Sequence, residues 1–241
     1  MAWYQNWFDT DYYHSLYQHR DESEAEQLVQ KISDSFPAAK YPFLCDAACG
    51  KGRHAKSFAD KGFKVDAFDL SANSIAEAKK FEAPNLHFFE HDITQDFGFE
   101  KYDIITNLFT SFGYFDLGIL DLKSLSSIHD ALKHEGFFVQ DYLNANLVQP
   151  DDKWQVKKID GYTFRTKKII EDNKVIKKIE VVDQGEKHEF QEQVALFRLR
   201  EFDQMYKTSQ FEILNVYGDY KFNSFVPDES PRLILVSKRR N

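Results

Sequence analysis

Between residues 43 and 143, short apolar runs alternate with stretches in which apolar positions recur every three or four residues, the pattern of parallel βαβ units. An apolar run beginning at Phe43, with Asp46 embedded in it, opens into a turn carrying Gly50 and Gly52. Over residues 53–61, Ala55, Phe58 and Ala59 sit at helical spacing and Gly62 follows as a stop signal. Strands are predicted at 63–68, 86–89, 102–106 and 137–143. Helices are predicted at 71–80, with Ser71 or Ser74 as N-cap, and at 120–132, with Leu122, Leu125, Ile128 and Leu132 on one stripe and Gly136 ending the region. A short helix at 204–209 precedes strands at 211–216 and 232–237.

Two parts depart from that rhythm. Residues 1–36 open on Trp3, Tyr4, Trp7, Phe8, Tyr12, Tyr13 and Tyr17 and continue into a helix at about 23–32. Residues 152–200 read as an antiparallel meander, with strands at 162–170 and 175–182 around a turn at 171–174. The expected organisation is a lid and helix at 1–36, a core at 37–151 and 201–241, and an inserted β cap at 152–200. The meander carries a lysine excess, read as a solvated face or as a basic cap that attracts an anion.

The 241 residues are 42% hydrophobic and 16% aromatic, enough for one domain with an elaboration. A net charge of −8 argues against a general nucleic-acid binder. No basic, apolar leader is readable, and no apolar run approaches the ~20 residues of a membrane span, so the chain is expected in the cytoplasm without membrane contact. Cys45 and Cys49 form neither a disulfide framework nor a metal pattern and read as reduced fillers. The pattern is compatible with a monomer or a homodimer.

Strand, glycine turn and helix at 43–61 form a site for a nucleotide-bearing cofactor: glycine backbone admits close approach, and the helix start presents unpaired N–H groups. Gly50-Lys51-Gly52-Arg53-His54-Ala55 also satisfies the dinucleotide pattern G-x-G-x-x-G/A, so a nicotinamide enzyme stays open on this segment alone. In a doubly wound sheet the ligand lies across the carboxyl ends of the strands. Asp69 follows the second strand 19 positions after Gly50, the offset of an acid that accepts from ribose hydroxyls. Asp92 follows the third strand and Asn107 the fourth.

The Asp46-to-Gly52 segment resembles motif I of the class I S-adenosylmethionine-dependent methyltransferases, Asp-x-Gly-x-Gly-x-Gly, with Ala48 in place of the first glycine. A methyl group there is tolerable where φ stays negative. The stretch 102–115 resembles motif IV, and 141–144, 216–220 and 230–233 resemble a bacterial small-molecule family with a meander after strand five. The resemblance implies a Rossmann-like α/β fold with seven strands ordered 3-2-1-4-5-7-6, the last one antiparallel, beside a small antiparallel cap. The 217–231 connection is itself too short for a helical crossover, which requires an antiparallel final pair.

It implies S-adenosyl-L-methionine as cofactor, S-adenosyl-L-homocysteine as product and transfer to a small molecule (EC 2.1.1.-), with an anionic or aromatic acceptor expected. Asp69 and Leu70 would take the ribose side, Asp92 and the Ile93 N–H the adenine, and Asn107 with the Gly50 carbonyl the methionine amino group. Asp46, Ala48 and Gly52 complete the motif I set. Tyr13 and Arg20 resemble that family's lid, where an arginine meets the cofactor carboxylate. No residue announces itself as a base. Tyr114, Tyr142 and Asn144 are the candidates, with His14 and His188 within possible reach. A nicotinamide oxidoreductase and a non-catalytic cofactor-binding module are the alternatives.

Overall fold

The computed structural model describes residues 7–17, 22–115 and 118–240. The elements follow in the order α1 (Asp11–Tyr17), α2 (Glu22–Ser35), β1 (Phe43–Ala47), α3 (Arg53–Asp60), β2 (Lys64–Asp69), α4 (Ala72–Ala78), β3 (Leu86–Glu90), β4 (Tyr102–Asn107) and α5 (Ile119–Ala131). Then come β5 (Leu132–Leu143), β6 (Gln155–Ile159), β7 (Tyr162–Glu171), β8 (Lys174–Asp183), β9 (Glu186–Ala195), α6 (Leu199–Thr208), β10 (Phe211–Tyr217) and β11 (Arg232–Arg239).

Seven strands pair in the order β3-β2-β1-β4-β5-β11-β10. β11 runs antiparallel to both neighbours and the other contacts are parallel, so the expected order and antiparallel strand are both observed. Period-2 alternation feeds a core on each face. Leu44, Ile104 and Ile234 pack with Leu28 and Ile32 of α2 and Phe58 of α3. Their neighbours Cys45, Ile105 and Leu235 pack on the other face with Leu125 and Ile128 of α5 and Phe202 and Tyr206 of α6.

Three boundaries differ from expectation. β5 begins at Leu132, directly after α5, because Gly136 serves an irregularity rather than a stop. A Cβ there would lie 2.8 Å from the Lys133 carbonyl, Glu135 has φ +65°, and the β4–β5 register shifts nearby. α6 begins at Leu199, five residues early, where Glu201 accepts from the Arg198 N–H at 2.9 Å, so the helix straddles the expected 200/201 boundary. The meander has four strands rather than two. All three of its hairpins turn on two residues with positive φ: Asp160-Gly161, Asp172-Asn173 and Gln184-Gly185. That is the mirror-image turn that matches strand twist.

The meander's apolar residues Ile159, Phe164, Ile179 and Val181 close against Trp7 of the N-terminal segment. Trp7 Nε1 donates to Glu192 Oε1 at 2.6 Å and the Tyr12 hydroxyl donates to Asp183 at 3.0 Å. The same segment reaches the core through Asp9, which accepts from Ser71 Oγ at 2.6 Å and Asn73 Nδ2 at 2.9 Å. Residues 7–17 therefore bridge cap and core at the carboxyl edge of the large sheet.

Candidate functional site

Each parallel strand of the large sheet ends in a tight turn at the same edge, and the turns enclose two adjoining cavities. The smaller, about 480 Å³, is lined by Asp69, Leu70, Ser71, Asp92, Ile93 and Phe112 among others. The larger, about 920 Å³, reaches from Asp46 and His54 to Tyr220 and Arg232 and up to Lys168 and Lys177 of the meander. Tyr13, Ala48, Gly50, Ser111 and Tyr114 line both, so they form the junction.

The turn after β1 is left-handed at Ala48 (φ +61°), Gly50 (φ +56°) and Gly52 (φ +78°). The negative φ expected at Ala48 is thus corrected, and its methyl is accommodated at the cost of backbone strain. Replacing Ala48 by Gly is expected to stabilise the fold by about 0.5–1 kcal/mol: the left-handed penalty of ~1–2 kcal/mol is relieved and part is returned to the freer unfolded chain. A rise in Tm of ~2–4 °C by calorimetry checks this. Gly50 opens on cavity space, with nothing near the position of a Cβ, whereas Gly52 lines neither cavity. A Cβ on Gly52 would sit 2.5 Å from the Phe88 ring, so this glycine serves close packing of α3 on the sheet.

Asp69 stands at the end of β2. Its Oδ2 accepts from the Gly50 N–H at 2.8 Å and its Oδ1 from the Ser71 N–H at 2.9 Å, tying the first two turns together. Burial raises its pKa, against those hydrogen bonds. Asp92 accepts at Oδ1 from both the N–H and the hydroxyl of Thr94 at 2.8 Å, so it forms its own turn and lines the smaller cavity as well. Asp46 is 1% exposed. Its Oδ1 accepts from Thr106 Oγ1 at 2.8 Å, while Oδ2 has no partner among the described residues. Burial lifts its carboxyl to about 7, moderated by the Thr106 hydrogen bond. His54 Nε2 is a second buried atom without a partner on the same cavity, and burial with Arg53 nearby lowers that imidazole to about 3, leaving it neutral.

Three expected positions turn away from the cavities. Asn107 is fully buried, and its Nδ2 donates to the Ala47 carbonyl at 3.0 Å and the Ser111 carbonyl at 3.2 Å. Its amide ties the β1 and β4 turns together instead of facing a ligand. The Tyr142 hydroxyl is fully buried and donates to the Ala195 carbonyl at 2.6 Å, fastening the end of the meander. Asn144 donates to the carbonyls of Pro227 at 2.7 Å and Ser230 at 2.8 Å and clamps the β10–β11 connection. Neither is placed to act as a base.

Tyr114 stays at the junction, its hydroxyl donating to the Thr110 carbonyl at 2.6 Å. His14 lines the larger cavity with its pKa lowered by burial and by Lys51. His188 packs 5.3 Å from the Tyr12 ring and lines neither cavity. Tyr13 is in place on the segment over the junction, and Arg20 lies outside the described residues.

The floor of the larger cavity is built from residues that lie in segments carrying the resemblance but were assigned no site role. Phe109 (φ +59°) and Thr110 (φ +65°) are two consecutive non-glycine residues in the left-handed region. Buried Asp141 holds them there: its Oδ2 accepts from the Phe109 N–H at 3.0 Å and its backbone carbonyl from the Thr110 N–H at 2.9 Å. The same side chain accepts from Arg232 Nε at 2.8 Å and the Tyr220 hydroxyl at 3.2 Å. Only the lack of any glycine at 107–112 hinted at a strained turn.

Residues 44–136 match the family model described as a methyltransferase domain. A protein provisionally named a methyltransferase, from Geobacillus sp. (strain WCH70), is 30% identical over 119 residues, 48% of each chain, so the chain spans about half the length of that curated relative. Among solved structures, an S-adenosylmethionine-dependent methyltransferase from Clostridium acetobutylicum superposes with a TM-score of 0.80 at 20% identity, covering 95% of this chain and 96% of its own. CalS10, an amino pentose methyltransferase from Micromonospora echinaspora with SAM bound, superposes with a TM-score of 0.71 at 18% identity, covering 96% and 98%.

Proposed function

We propose that this chain, with a methyltransferase domain over residues 44–136 and the fold of the class I S-adenosylmethionine-dependent methyltransferases, transfers a methyl group to a small-molecule acceptor by in-line displacement. The observation that carries the reading is the pair of cavities joined at Ala48, Gly50 and Tyr114: one is shaped by Asp69, Leu70, Asp92 and Ile93, and the other opens toward the cap. The orphaned Asp46 Oδ2 near the junction matches an ammonium group, and the two acids after β2 and β3 match hydroxyl and amino donors. These residues fit S-adenosylmethionine.

In this reading Asp69 takes the ribose hydroxyls, Asp92 and the Ile93 N–H take the adenine edge, and Asp46 with Gly50 receives the methionine amino group. Tyr13 closes over the junction, and Arg20 is assigned to the carboxylate. When bound, the cofactor supplies a methyl group already activated on a sulfonium, so no covalent nucleophile is required of the protein. The protein's work is to hold the acceptor's nucleophilic atom in line at ~3–3.5 Å and keep water out. Trp7, Phe8 and Tyr13 contribute the water-excluding apolar cover. Tyr114, which lines both cavities, is assigned to orient the nucleophile.

The acceptor is proposed to be anionic or aromatic, and the protein to be a cytoplasmic monomer or homodimer. Both cysteines are free, and no helix among the described residues is long and apolar enough to cross a membrane. The division of labour is a lid before residue 37, a cofactor-binding core and a cap ending near residue 198.

A ligand-shift melting assay tests the cofactor. S-adenosylhomocysteine at 100 times its Kd is expected to stabilise the protein by about 2.7 kcal/mol, a shift of ~5–10 °C, while NAD at equal concentration gives none. A shift with NAD alone would overturn the reading.

A further inference from the structure

The cap side of the larger cavity carries a feature that cofactor binding does not use. Lys168 on β7 and Lys177 on β8 stand directly opposite each other in the antiparallel pairing. Both line the larger cavity and neither lines the smaller. Opposed like charges on a sheet lie ~4.5–5.5 Å apart at Cβ and destabilise the pairing. The structure nevertheless holds both ammonium groups at the cavity. Lys168 Nζ lies 3.4 Å from Asp151, and Lys177 Nζ donates to the Tyr17 hydroxyl at 2.6 Å and lies 4.5 Å from the centre of that ring. Glu192, opposite Lys177 on β9, accepts from Trp7 Nε1 and from the Tyr17 hydroxyl, each at 2.6 Å.

The facing wall is a ladder of rings and cations. The Arg53 guanidinium lies 5.0 Å from the Phe109 ring, Phe109 stacks on Tyr220 at 6.0 Å, and Arg232 lies 5.9 Å from Tyr220. Among the described residues, six lysines and arginines line this cavity against three acids, Asp46, Glu192 and Asp219, in a chain whose net charge is −8. Arg232 and Lys168 are each matched by an acid just behind the lining, Asp141 and Asp151, and the positive excess that remains draws anions toward the cavity.

We propose that Lys168 and Lys177 form a two-lysine grip for an acid group, carboxylate or phosphate, on the methyl acceptor, whose body lies along the Phe109–Tyr220 pair. The proposal rests on the methyltransferase reading and names the acceptor class for that same site. An acid group between the two ammonium groups adds to the partial neutralisation that Asp151 and Glu192 provide, so ligand binding and cap stability are coupled.

The second lysine pair of the same hairpin supplies the control. Lys167 and Lys178 are also directly opposed, one register position along, and neither lines the larger cavity. Wild type, Lys168→Gln/Lys177→Gln and Lys167→Gln/Lys178→Gln are titrated calorimetrically with inorganic pyrophosphate and with citrate, each with and without S-adenosylhomocysteine. The first double variant is expected to keep or raise Tm and to lose at least tenfold in affinity for one of the two probes, which tells phosphate from carboxylate. The second is expected to bind as wild type does. Equal losses in both double variants, or no loss in the first, would overturn the grip. Failure of S-adenosylhomocysteine itself to bind the wild type is read in a separate arm and overturns the cofactor assignment; the comparison of variants still decides the grip.

Discussion

Replacing Asp46 by Asn is expected to raise the Tm of the cofactor-free protein at pH 8 and to weaken S-adenosylhomocysteine binding by ~30- to 150-fold. Both effects have one cause. Burial raises its pKa from 3.8 to about 7, against the Thr106 hydrogen bond to Oδ1, and Oδ2 has no hydrogen-bond partner among the described residues. Between those values the folded state binds a proton that the unfolded chain has released, so stability falls as pH rises through the window and the loss is complete above about 7. That rise corresponds to a penalty on the order of 4 kcal/mol at alkaline pH. Asn keeps the acceptor for Thr106 and carries no charge, but leaves its own amide donor unpaired. About 2 kcal/mol, or ~4–8 °C in Tm, is the expected net gain.

Ligand binding shows the opposite sign. An ammonium group against Asp46 forms a buried charge pair whose removal costs about 2–3 kcal/mol. Wild-type affinity should therefore strengthen as pH rises through about 7, and Asn at this position should flatten that dependence. Melting curves from pH 4 to 9, with and without S-adenosylhomocysteine, measure both. An unchanged pH slope in the variant would remove Asp46 from the site.

Asp69→Ala is expected to weaken S-adenosylhomocysteine binding by at least 100-fold and to lower stability by about 2 kcal/mol. The charge-assisted hydrogen bonds proposed between Asp69 and the cofactor's hydroxyls would be worth roughly 1.5–3 kcal/mol each at most. The substitution also strips the Gly50 and Ser71 N–H groups of their acceptor, so the turns after β1 and β2 lose their common tie. Asp69→Asn, which keeps acceptor oxygen at one of these positions, should lose less of both. Asp92→Ala should cost less again, since Thr94 holds that turn from the protein side and water can replace the single adenine contact. Calorimetry giving equal affinity for wild type and the Asp69 alanine variant would refute this placement of the cofactor.

The strand order, the antiparallel strand and the carboxyl-edge position of the cavities were legible in the chain. The order rests on the resemblance of motifs I and IV; the rest rests on short-range quantities: the continuous apolar runs of β1 and β4, the spacing of Ala55, Phe58 and Ala59, the brevity of the 217–231 connection, and the 19-residue offset from Gly50 to Asp69. Each is local, so it survives without knowledge of what packs against it. Asp69, Asp92, Ile93 and Tyr114 line cavities because a residue just past a parallel strand has few other directions to go.

Tertiary packing decided the rest. Asn107, Tyr142 and Asn144 occupy the same kind of strand-end position, yet their polar groups are consumed by carbonyls of Ala47, Ala195 and Pro227, residues distant in sequence. No local pattern distinguishes a strand-end amide that faces a ligand from one that satisfies a buried carbonyl, because the demand for the hydrogen bond comes from the other chain segment. The lysines of the meander pose the same question. By sequence they could be a solvated face; register alone sorts Lys168 and Lys177 onto the cavity and Lys167 and Lys178 away from it. The identity and period of residues along the chain thus determined the fold and where its ligand edge lies. Which polar groups remain there to meet a ligand was determined only when segments far apart in sequence met and took up their share of the hydrogen bonds.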